Sequence, residues 1–177
     1  MLHIGVIVER MSCVRYDRSP SGQPVSRPPE VVERPSWPEV QTAIRRMENF
    51  CFPIVTLAFD ASEQDGLIVV GGPRRYSATR VDGSWIYERP DGGDQEVRLW
   101  ESDQGFYCRE RNIIGTRRKM LEIAKAFYET GDFEKVAEIA SRPEPKRRRA
   151  ANQPLQRTGA AVTLFDLPKE SERGPGR

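Results

Sequence analysis

The chain has 177 residues, 37% of them hydrophobic and 31% charged, with a net charge of +2 at pH 7. That length suits one domain with tails, and 13 of the 15 aromatic residues fall between residues 31 and 142, so the packed core is expected there. Charge divides along the same boundaries. Residues 31–142 hold 16 basic and 19 acidic groups, whereas residues 143–177 hold 8 and 4, so the basic character belongs to the tail. A mildly acidic domain argues against nucleic acid as its partner, because phosphate binding needs a clustered basic face. Three cysteines, Cys13, Cys51 and Cys108, cannot all pair within the chain, and none has a C-x-x-C spacing. With no basic leader before the first apolar run, and no run of the roughly 20 apolar residues a membrane span needs, a cytoplasmic protein in a reducing compartment is expected.

Residues 1–34 read as an extended or flexible lead-in, since Pro20, Pro24, Pro28, Pro29 and Pro35 interrupt both ladders and helices. The alternative is an edge strand contributed by residues 1–9. A helix is expected over residues 37–49: Ser36 and Glu39 have the spacing of a capping box, Pro38 sits in the first turn, and Val40, Ala43, Ile44 and Met47 recur at helical spacing. Alternation over residues 52–60 then predicts a strand.

The centre of the chain is Asp65 to Val81. Leu67, Ile68, Val69 and Val70 form an apolar run suited to a strand covered on both faces, and Gly71 and Gly72 are expected to turn the chain into the next strand. Three Asp-Gly pairs, at residues 65, 82 and 91, mark further turns. The strands so delimited lie near residues 52–60, 66–71, 75–81, 84–89, 96–101 and 105–110. Short connections predict an antiparallel meander of about six strands, with an N-terminal helix and C-terminal helices packed on it, an α+β fold.

Two helices close the domain. The first spans about residues 116–130, with Thr116 as N-cap and Gly131 beyond its end; the second spans residues 133–140 and starts at Asp132. A single domain over residues 35–141 results, followed by a disordered basic tail over residues 142–177.

No catalytic constellation, cofactor motif or metal-ligand cluster emerges from these patterns. His3 is the single histidine and lies outside the domain. Asp65, Asp82, Asp91, Asp94 and Asp103 are explained by turn chemistry. The Gly71–Arg75 segment lacks the spacing and the following helix of a phosphate loop. Cys51 and Cys108 suit packing positions, and the basic run Lys146–Arg149 reads as a solvated charge run.

The order of SWPEVQTAIRRM, an apolar strand, LIVVGGPRRYSATRV and MLEIAKAFYETGDF resembles the immunity-protein family numbered one among bacterial polymorphic toxin systems. The resemblance spans about residues 35–133 and rests on Trp37, Gly71, Gly72, Tyr76, Phe127, Thr130 and Gly131. A tryptophan that family members carry after the Thr-Gly turn is absent here, where Phe133 and Val136 follow instead. The resemblance implies a protein that binds a cognate toxin domain, such as a nuclease or deaminase, and occludes its active site without catalysis of its own. Two other classes remain open: a generic α+β interaction module, and a small enzyme built on buried carboxylates.

Overall fold

The computed structural model describes residues 8–100 and 105–143, which belong to one compact unit. Residues 1–7, residues 101–104 with Asp103, and residues from 144 on, with His3 and Lys146–Arg149, lie outside the described residues. The architecture is α+β. Strands β1 (Arg10–Arg18), β2 (Pro24–Glu33), β3 (Ile54–Ala58), β4 (Gly66–Gly72) and β5 (Arg75–Arg80) form one antiparallel sheet in the order β2-β1-β3-β4-β5. Helix α1 (Trp37–Arg46) lies between β2 and β3 in sequence, and β6 (Glu96–Trp100) pairs with β7 (Phe106–Arg109) as a separate two-stranded sheet. Helices α2 (Arg117–Thr130) and α3 (Phe133–Ser141) follow.

This corrects the expected six-stranded meander with an N-terminal helix. Two strands precede α1, and residues 10–33 are a hairpin rather than a mobile lead-in. The prolines are accommodated because β2 is an edge strand with no second neighbour to serve. Cys13 pairs with Glu30 and Arg15 with Arg27, so Pro28 and Pro29 stand together opposite Val14 in a bulge, where a missing N–H costs no ladder bond. Pro24 opens the strand opposite Arg18. The same bulge makes the free edge a poor template for a further strand.

Residues 84–89 do not form a strand. They return against β5 through Arg80 N–H to Trp85 O (2.8 Å), Tyr87 N–H to Ala78 O (2.8 Å) and a single bridge at Ile86, and Pro90 then ends the pairing. Ile114 occupies the rest of that edge by exchanging two backbone bonds with Tyr76. Both halves of the β5 edge are thereby covered, and β6 and β7 are left to pair with each other.

The sheet is covered on both faces, as the apolar run in β4 led us to expect. On one face Met11, Cys13, Val55, Leu57, Leu67 and Val69 pack with Val40 and Ile44 of α1, with Met47 just beyond its end, and with Met120, Ile123 and Phe127 of α2. On the other, Val70, with Ile54 and Ile68 beside it, meets Leu99, Ile113, Val97 and Phe106 of the smaller sheet and its flank. Burying each large aliphatic side chain contributes about 1.5–3 kcal/mol, so these two layers hold the fold against chain entropy. Phe127 is the hub at the α2 end of the core, with ring centroids 5.1 Å from Phe59 and 5.3 Å from Phe133.

Helix ends follow the sequence closely. The Glu39 carboxylate accepts from both the N–H and the hydroxyl of Ser36 at 2.7 Å, the Thr116 hydroxyl accepts from Lys119 N–H, and Asp132 accepts from Glu134 N–H. Gly131 takes the left-handed conformation at φ 61°, with its N–H bonded to Phe127 O. Helix α1 stops at Arg46, short of the expected Asn49. Residues 48–52 are instead drawn into a loop, in which Glu48 accepts from Cys51 N–H, and Cys51 O accepts from Tyr16 N–H. Lys119 is buried in the first turn of α2, and its ammonium donates to the carbonyls of Ile139 and Arg142. It thereby satisfies the orphan end of α3, where a positive charge also complements the helix dipole.

Candidate functional site

The glycine pair does not make the turn expected of it. Gly71 and Gly72 are the last residues of β4, and the turn is Pro73–Arg74, with Arg74 at φ 74° between the paired Gly72 and Arg75. What the glycines provide is close approach. A side chain on Gly71 would overlap the Arg75 carbonyl, and one on Gly72 would meet Glu48 Cα at 2.7 Å and Asn49 N at 2.8 Å. The loop after α1 is thus seated directly on the end of the central hairpin.

The residues carrying the family resemblance are packed with one another's neighbours. Trp37 at the start of α1 packs at a tilt against Tyr128 of α2, with ring centroids 5.6 Å apart, and the Tyr128 hydroxyl donates to Pro35 O. Tyr76 is fully buried between sheet and helix, its hydroxyl accepting from Arg117 Nε at 3.2 Å. These positions fix the relation of α1, β5 and α2, and their role is to hold the scaffold.

The cysteines are not activated. Burial pushes the Cys108 thiol up to about 11, against a lowering contribution from Ser77. The buried Cys13 thiol is also raised, chiefly by desolvation, with Arg46 opposing. Cys51 is raised by its interaction with Glu48. A nucleophilic thiol needs the opposite shift. Cys13 lies in a groove of about 300 Å³ between the β1–β2 hairpin and α1, floored by Met11, Val32 and Ala43 and edged by Glu30 and Arg46, which are ion-paired with each other. The buried polar residues described are Ser12, Ser77, Asn112 and Lys119, so no carboxylate is among them, and no three potential metal ligands gather among the described residues.

The feature that the linear sequence conceals is a separation of charge between the two ends of the main sheet. Strand register places Arg10, Glu33, Ala58, Gly66 and Arg80 at one end. There Glu63 pairs with Arg10 at 2.7 Å, Asp65 with Arg80 at 2.9 Å, and Asp82 with Arg80 at 3.4 Å, while Asp60 accepts from Ser62 in the adjoining loop. Three loop carboxylates therefore pair with two guanidinium groups, and a fourth, Asp60, lies in the adjoining loop. Glu9 and Glu33 extend the same rim, with Arg34 beside them. Hydrogen bonds from Ser62 and Ser84 hold Asp60 and Asp82 below the usual carboxylate range, so both stay ionised through the neutral range. Asp82 is the turn former that sequence patterns make it, its carboxylate accepting from Ser84, whereas Asp65 stands at the foot of β4 with its carboxylate bonded to Arg80; the two share one surface. Arg89, Arg109 and Arg111 form a second ion-paired cluster with Asp91, Asp94 and Glu110, on the segments flanking β6 and β7.

In comparison with known proteins the chain matches no family model and no curated protein sequence. Among the described residues no helix is long and apolar enough to cross a membrane.

Proposed function

We propose that this chain is an immunity protein of the bacterial polymorphic toxin kind, which binds a cognate toxin domain and neutralises it by occluding the active site. The observation that carries the reading is the acidic rim at the Arg10–Arg80 end of the sheet, where Asp60, Glu63, Asp65 and Asp82 project from loops held on a rigid core. A toxin that cleaves or modifies nucleic acid needs a basic substrate groove. An acidic rim competes for such a groove, steers the encounter and disfavours wrong partners. Further support comes from the residues of the resemblance, since Trp37, Tyr76 and Phe127 occupy packed positions where three elements meet. The reading places the protein in the cytoplasm, where such a toxin would act.

The test is co-expression with the C-terminal domain of a toxin encoded beside this gene. Restored growth and a co-purifying complex are expected. The Asp60→Asn/Asp82→Asn variant keeps an acceptor oxygen for each serine turn, and it should slow association several-fold at low salt, with a smaller effect at high salt. No rescue and no complex would reject the reading. A stable complex with a partner unrelated to toxins would make the protein a general interaction module instead.

A further inference from the structure

The opposite end of the sheet carries the complementary charge. Most described arginines are held in ion pairs, but Arg18, Arg45, Arg74, Arg75 and Arg117 have no carboxylate partner among the described residues. All five are exposed, and all five lie at the end where Arg18 pairs with Pro24 and Gly72 with Arg75. The loop after α1 gathers them. Arg18 lies over the Phe50 ring at 3.6 Å, Glu48 and Asn49 abut Gly72 next to the Arg74 turn, and Arg45 is one turn upstream at the end of α1. Arg117 reaches the same end through its contact with Tyr76, the residue after Arg75. It opens a helix with no acidic residue in its first turn, where Arg118 is paired with Glu122 and Lys119 with the α3 carbonyls, so Arg117 is the first-turn cation left without a carboxylate. Glu48 stands among them, its carboxylate accepting from Cys51 N–H.

We propose that this end binds the phosphate backbone of nucleic acid. Exposed guanidinium forks not paired with a carboxylate match phosphate oxygens in geometry as well as charge. The net acidity of the domain, which argues against nucleic acid when charges are summed, is an average over two oppositely charged ends. The inference does not depend on the toxin reading, because it uses the other end of the sheet.

Binding of the full chain to a fluorescein-labelled 20-base-pair DNA duplex, followed by anisotropy from 50 to 200 mM NaCl, tests the proposal. Affinity should fall with salt, with a log–log slope of about −0.9 for each phosphate neutralised. Arg45→Gln/Arg74→Gln/Arg75→Gln should weaken binding at 50 mM salt by at least about 10-fold and reduce the slope by about 3. Arg34→Gln/Lys125→Gln/Lys135→Gln makes the same change in net charge away from this end, and it should leave binding within about 2-fold apart from the long-range charge effect. Lys146→Gln/Arg147→Gln/Arg148→Gln/Arg149→Gln separates the tail's contribution. Absence of salt-sensitive binding, equal losses in the two triple variants, or loss confined to the tail variant would each overturn the proposal.

Discussion

Replacing Gly71 by alanine probes the junction that organises the main sheet. Gly71 sits at φ 115°, pairs with Tyr76, and donates its N–H to Pro53 O at 2.8 Å. Two penalties combine. A non-glycine residue held in so sparsely populated a backbone region costs about 1–3 kcal/mol. The added methyl also overlaps the Arg75 carbonyl and lies 3.2 Å from Tyr76 Cα, both backbone atoms that cannot swing aside as a side-chain tip can. Forced repacking of this kind costs about 1–3 kcal/mol more. The total, about 2–6 kcal/mol, is a large share of the 5–15 kcal/mol that stabilises a typical domain. Gly22→Ala supplies the control, because Gly22 also has positive φ, 80°, but a methyl there meets nothing within 4 Å. It should cost about 1 kcal/mol, since the unfolded chain loses some freedom in compensation. Urea unfolding followed by circular dichroism measures both variants. Equal destabilisation would refute the argument that backbone overlap, rather than φ alone, makes Gly71 obligatory.

Three further outcomes are expected. Phe127→Ala opens a cavity between Phe59 and Phe133 and should lower unfolding free energy by about 3–5 kcal/mol; a loss under 1 kcal/mol in the same urea experiment would contradict its role as a hub. Cys108, with its thiol raised to about 11, should react with iodoacetamide at pH 8 about 100-fold more slowly than an ordinary exposed thiol, as read by peptide mass spectrometry, and should accelerate as pH rises toward 11. Glu39 is held below its ordinary pKa by the Ser36 hydroxyl and N–H. Because the folded value is the lower one, its contribution is present above the unfolded pKa and is lost as pH falls through the folded value. Glu39→Ala should therefore be less stable than the parent at pH 7, and the gap should close as pH falls from about 5 toward 3. A gap that stays constant across that range would exclude the ionised cap.

Much of this fold is written in local pattern. The spacing of Val40, Ala43, Ile44 and Met47, the caps at Thr116 and Asp132, and Gly131 beyond α2 fix helices because their determinants lie within one or two turns. The run Leu67–Val70 announces a strand covered on both faces, for burial on two sides leaves no polar alternation. Local pattern fails where a residue's meaning depends on a distant neighbour. Pro28 and Pro29 forbid a central strand but suit a bulged edge, and their position at an edge is set by β1 pairing with β3, more than twenty residues further on. Residues 84–89 have strand composition, yet Ile114 competes with them for the β5 edge. Gly71 and Gly72 look like turn residues, and only the seating of Glu48 and Asn49 explains the second of them.

The same division holds for the charged surfaces. Local pattern sets the helices, the hairpin from Gly66 to Arg80, the turn at Asp82 and the mildly acidic sum of the domain. Tertiary structure alone decided that Glu63, Asp65 and Asp82 meet at one end of the sheet while Arg45, Arg74 and Arg117 meet at the other. The physical reason is that strand register and helix direction, not sequence distance, set which charges lie within reach of one another. A net charge summed along the chain cancels the very separation on which electrostatic recognition depends.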